Sequence, residues 1–98
     1  MEIRKRIEDK VLYVELTEKL DTVTSQVLLD DLKDDIAQVE KIEFDFKELN
    51  YISSAGLRAL LTYKKMLGAK DKVVVKNANE VIKNIFNVTG IINLITVL

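Results

Sequence analysis

The chain has 98 residues, 48% of them hydrophobic and 32% charged, with 15 basic against 16 acidic residues and a formal net charge of −1; these are the proportions of one soluble globular domain with room for a single core. With neither histidine nor cysteine, it lacks disulfides, thiol nucleophiles, zinc sites of the usual kind and the commonest general base, which argues against an enzyme. Interspersed charges give no basic face for nucleic acid, no apolar run approaches the ~20 residues of a membrane span, and Met1 to Arg6 lacks the apolar region of a secretory signal, so the expected compartment is the cytoplasm, without membrane insertion.

Residues Glu2 to Ile7 and Lys10 to Thr17 read as two strands joined by a tight turn at Glu8-Asp9-Lys10, an antiparallel hairpin whose Leu12, Val14 and Leu16 face the core. Leu20 to Ser25 is a run of turn and cap formers, and Thr24 is the expected N-cap of a first helix. Leu28, Leu32, Ile36 and Val39 recur at near-helical spacing, with Asp30, Asp31, Lys33, Asp34 and Asp35 turned outward. The four aspartates suit a hydrated helix face; with no other ligand type at hand a divalent metal site is not expected.

Lys41 to Phe46 is the expected central strand. Ile42, Phe44 and Phe46 alternate with Glu43, Asp45 and Lys47, and the polar positions imply that one sheet face is incompletely covered. From Ser54 to Leu67 the period changes to that of a helix, with Leu57, Leu60, Leu61 and Leu67 on one stripe and Gly68 as its stop. Asp71 to Lys76 reads as a buried strand. Asn77 with Glu80 three residues on is the expected cap of a third helix, which carries Val81, Ile82, Ile85 and Phe86 and stops at Gly90. Leu94 to Val97 is either a last short strand or a terminal segment packed beneath that helix. The order β-β-α-β-α-β-α-β in one domain over residues 1–98 predicts an α/β fold, a hairpin followed by right-handed crossovers and a mixed sheet.

The change of period falls at Ser53-Ser54. A serine there can cap the helix by accepting from the first turn's free N–H groups. It can equally present a hydroxyl where a phosphate is tolerated, and composition does not separate the two. The run Tyr51-Ile52-Ser53-Ser54-Ala55-Gly56-Leu57-Arg58 resembles the signature of the STAS domain, the anti-sigma factor antagonist family. Leu20-Asp21 matches that family's Leu-Asp turn, and Asn77 to Gly90 its final Asn-x-x-Glu helix ending in Thr-Gly. Aligned on Gly56-Leu57, the family's phosphorylated serine falls on Ser54. The preceding position, often aspartate in the family, is Ser53 here, which leaves Ser53 as the alternative.

The resemblance implies a non-enzymatic protein without cofactor or metal that switches partners. Unmodified, such a domain binds an anti-sigma factor that is also a serine kinase; phosphorylation ends the binding, and a PP2C-type serine phosphatase restores it. By the same resemblance Asp21, Asp45, Tyr51, Ser53, Gly56 and Arg58 form the partner-binding surface around Ser54. Gly56 in the first helical turn also has a reading of its own, close approach of helix to sheet or partner. STAS domains serve as well in membrane transport complexes, where the serine at the helix start is a contact and not a phosphosite; this is the alternative function. A receiver or flavodoxin-like enzyme fits less well, for want of a glycine-rich phosphate loop or an acidic pair after the first strand.

Overall fold

A computed structural model describes all residues, 1–98. Two strands, β1 (Ile3–Glu8) and β2 (Val11–Leu20), form the opening hairpin, followed by α1 (Thr22–Ile36), β3 (Lys41–Ile52), α2 (Ser54–Leu67), β4 (Val73–Lys76), α3 (Glu80–Thr89) and β5 (Thr96–Val97). Single 3₁₀ turns at Lys70–Lys72 and Ile91–Asn93 precede β4 and β5. The sheet runs β1-β2-β3-β4-β5, with β1 antiparallel to β2 and all other pairs parallel. Each helix is thus the crossover between neighbouring parallel strands.

The hairpin turns on Asp9 and Lys10, both with positive φ (51° and 63°), the backbone of a two-residue turn whose twist matches that of the strands. Leu12, Val14, Leu16, Ile42, Phe44, Phe46, Val73 and Val75 point to one side of the sheet and join Leu28, Leu32, Leu57, Leu60, Tyr63, Ile82 and Phe86 in a single buried core. At Gly68 and Gly90 (φ 93° and 78°) α2 and α3 stop in the left-handed conformation that glycine adopts without steric cost.

The opposite face is uncovered, as the alternation in β3 implied. It carries Arg4, Arg6, Tyr13, Glu15, Glu43, Asp45 and Lys76, which line a shallow groove of about 150 Å³. Its charges neutralise one another: Arg4 meets Glu2, Glu15 and Glu48, Arg6 meets Glu8 and lies 4.2 Å over the Tyr13 ring, and Lys76 is 3.9 Å from Glu43. On the helix side, Lys5 reaches across to Asp31 (3.3 Å) and Asp35 (2.6 Å) of α1. Two of the four aspartates on that helix therefore pin it to β1.

Several boundaries differ from the sequence reading: β2 runs on past Thr17 to Leu20, and β4 begins at Val73, not Asp71, after the 3₁₀ turn at Lys70–Lys72. Strand β3 runs on six residues past Phe46 to Ile52, because register shifts against β2 near Lys47 break the alternation without ending the strand. The cap of α1 is Asp21, not Thr24: the Asp21 carboxylate accepts from Val23 N–H (3.1 Å) and Thr24 N–H (3.0 Å), and the Thr24 hydroxyl accepts in return from Asp21 N–H (2.8 Å). The cap of α3 is Asn79, whose side-chain oxygen accepts from Ile82 N–H (2.9 Å), while Asn77 sits at φ 60° and donates to Asp45. At the C-terminus Thr96–Val97 does pair with β4, the strand alternative.

Candidate functional site

Strands β2 and β3 are parallel and end level, Leu20 opposite Ile52. Each is followed at once by a helix, so the N-termini of α1 and α2 emerge side by side. Ser53 N–H donates to the Leu20 carbonyl (2.9 Å) and ties the two exits together. The first turn of α2 lies hard against this junction: a Cβ on Gly56 would stand 2.6 Å from Ile52 Cγ1 and 2.8 Å from the Leu20 carbonyl oxygen. No side chain fits there. Gly56 is buried, and its lack of a Cβ sets how closely α2 approaches the sheet.

The two serines are separated by their chemistry. Ser53, in extended backbone (φ −94°, ψ 176°), is the N-cap, and its Oγ accepts from Gly56 N–H at 3.4 Å. Ser54 is the first residue of the helix and exposed. The cap therefore uses the Ser53 hydroxyl and leaves that of Ser54 on the surface. One turn further along α2, Arg58 is also exposed.

Asp21 stands across the junction as the cap of α1. Its carboxyl is held below the ordinary carboxylate range, above all by the Thr24 N–H, with the Thr24 hydroxyl, Lys19 and the Val23 N–H adding to the effect against some desolvation. It is the fixed negative charge of the site. Lys19 Nζ lies 3.6 Å from it, and Lys19 is the β2 residue opposite Tyr51. Tyr51 is 49% exposed and Val23 72%, which gives the rim of the junction apolar surface on both sides.

Of the residues expected around Ser54, the structure thus brings Asp21, Tyr51, Ser53, Gly56 and Arg58 to one end of the sheet. Asp45 is elsewhere. It lies seven residues before Ile52 on β3, roughly 20 Å along an extended strand, on the uncovered face opposite Lys76. There its carboxylate accepts from Lys47 N–H and Asn77 Nδ2, both at 3.0 Å, supporting the irregularity in β3 and the turn that leads to α3. The sequence reading missed Lys19 and Val23. Their adjacency to Asp21 was the available signal, since anything flanking a capped junction shares its surface. No group of three or more acidic side chains is placed to hold a metal ion, and no helix is long and apolar enough to cross a membrane.

The model of the STAS domain matches residues 2–98, and the chain is a member of that family. Among solved structures, an anti-sigma factor antagonist from Mycobacterium paratuberculosis superposes with a TM-score of 0.85 at 18% identity, covering 98% of this chain and 83% of that one. The Bacillus cell fate determinant SpoIIAA in its phosphorylated form gives 0.75 at 16% identity, covering 99% and 91%. The anti-sigma factor antagonist SpoIIAA in its unphosphorylated form gives 0.71 at 16%, covering 88% and 82%. At such identities the likeness is one of fold. No curated protein matches the sequence.

Proposed function

We propose that this STAS domain is an anti-sigma factor antagonist that works by partner switching. Unmodified, it binds an anti-sigma factor that is also a serine kinase and so frees that factor's target; transfer of the γ-phosphoryl group of ATP to Ser54 Oγ, with release of ADP, ends the binding. A serine phosphatase of the PP2C type resets it. The domain itself acts as a binding module in the cytoplasm, with neither catalysis nor cofactor. The observation that carries this reading is the division of labour at the start of α2, where Ser53 caps and Ser54 is left exposed, one turn before Arg58 and at the sheet end where Asp21 caps α1.

The physical consequence of modification supports a switch of partner over a change of fold. Phosphate adds about −1.5 to −2 charges. A helix N-terminus favours an anion by ~0.3–1 kcal/mol at an exposed site, so the domain stays folded. A partner matched to a neutral hydroxyl meets that charge in a desolvated contact, where charge mismatch costs several kcal/mol, on the order of a hundredfold or more in affinity.

The test is phosphopeptide mapping of the protein from its own cells together with co-purification by Ser54→Ala and Ser54→Asp variants. Phosphate on Ser54, a kinase retained by Ser54→Ala, and its loss with Ser54→Asp at unchanged melting temperature are the expected results. Phosphate on Ser53, or subunits of a transporter retained equally by both variants, would overturn the assignment.

A further inference from the structure

The chain has three arginines, and two are committed: Arg4 to Glu2, Glu15 and Glu48, and Arg6 to Glu8. The third, Arg58, is exposed on α2 and in no ion pair; its carbonyl accepts from the Thr62 hydroxyl (2.8 Å) within the helix. Residues 54 and 58 stand in the i, i+4 relation of one helix, which places their Cβ atoms about 6 Å apart on the same face. The guanidinium on its long stem spans that interval, and its planar fork matches two phosphate oxygens at once.

We propose that Arg58 is a phosphate clamp in cis: once Ser54 is phosphorylated, the Arg58 guanidinium folds back along the first turn of α2 and binds the phosphate oxygens, which withdraws it from the partner-facing surface. The inference rests on the reading of Ser54 as the phosphosite and adds how that modification is read. Across the junction the charged groups are Asp21 and Lys19, already paired at 3.6 Å, so Lys19 is partly spent and Asp21 opposes a second anion. Of the cations on α2, Arg58 is the one within a single turn of Ser54, and it has no competing carboxylate. A single covalent change then alters the surface twice, adding an anion at Ser54 and removing the cation that the unmodified domain offers to an acidic group on its partner.

The experiment uses the full chain with phosphoserine installed genetically at position 54, so that no kinase is needed, and follows the second phosphate ionisation by ³¹P NMR. In Arg58→Gln the pKa of that step rises by about half a unit or more, roughly threefold in acidity constant, because the dianion loses its counter-charge; Arg58→Lys recovers part of the shift. An ionisation unmoved by Arg58→Gln in a protein whose circular dichroism is native overturns the clamp. The switch itself is judged separately, by whether the kinase retained by Ser54→Ala binds the phosphoserine protein. If phosphate abolishes that binding while the ionisation ignores Arg58, the clamp falls and the switch stands; if the clamp is present and binding is unaffected, the switch falls.

Discussion

The two helix starts at the level ends of β2 and β3 are alike in position and unlike in construction. At α1 the cap is reciprocal: a carboxylate takes two N–H groups and the Thr24 hydroxyl, and Thr24 takes the Asp21 N–H in return. At α2 the cap is one hydroxyl accepting one N–H at 3.4 Å, and the strength of the junction lies in packing, through Gly56 against Leu20 and Ile52. The first start is fastened by charge and hydrogen bonds, the second by close approach. A helix held by packing leaves its first-turn surface free for chemistry, which is where Ser54 lies.

The largest effect expected from attacking this contrast is that of Gly56→Ala. A methyl group there meets the Leu20 carbonyl and the Ile52 side chain below contact distance, and such overpacking costs about 1–3 kcal/mol against ~1 kcal/mol regained in helix propensity. Thermal unfolding should show a fall of several degrees; an unchanged or higher melting temperature would mean that α2 can lift off the sheet freely. Next comes Asp21→Ala, which strips α1 of its reciprocal cap and should lower the melting temperature more than Ser53→Ala does.

Asp21→Asn sharpens the same point through pH. The folded carboxyl titrates below its unfolded value near 3.9, so its contribution is complete above about pH 4 and is lost as pH falls through the lower, folded value. Asparagine caps equally well and does not titrate. The stability gap between wild type and Asp21→Asn should therefore narrow from pH 7 to pH 3, and a gap constant over that range would contradict the assignment of Asp21 as a charged cap. Ser53→Ala should cost about 0.5–1 kcal/mol, the low end for a lost cap given its long bond, and should leave Ser54 phosphorylation intact. Smallest is Ser25→Ala in α1, since the Ser25 hydroxyl is buried without a hydrogen-bond partner; removing it should be neutral or stabilising by up to ~1 kcal/mol in chemical denaturation.

Much of this was legible along the chain. The hairpin turn, the period of the helices, the alternation in β3 and the stops at Gly68 and Gly90 are local matters of side-chain spacing and backbone preference. The caps were harder. Asp21, Thr24, Asn77 and Asn79 are all good cap formers, and which one caps depends on where the preceding strand lets go. The extension of β3 to Ile52 was hidden because a register shift moves side chains between faces and erases the period. Of the expected company of Ser54, Asp21 and Tyr51 lie at the same end of the sheet, whereas Asp45, close in sequence, is carried away from it along an extended strand.

By itself the sequence determined the element order, the core-facing residues and the motif Ser53-Ser54-Ala55-Gly56-Leu57-Arg58, because these depend on neighbours within a few residues. Only the tertiary structure decided that β2 and β3 end level, that Asp21 and Ser53 therefore stand together, and that the close approach at Gly56 is to the sheet, at Leu20 and Ile52. Those facts arise from pairing between residues 30 to 32 apart in the chain, and no local preference encodes which carbonyl, here that of Leu20, will lie against which glycine.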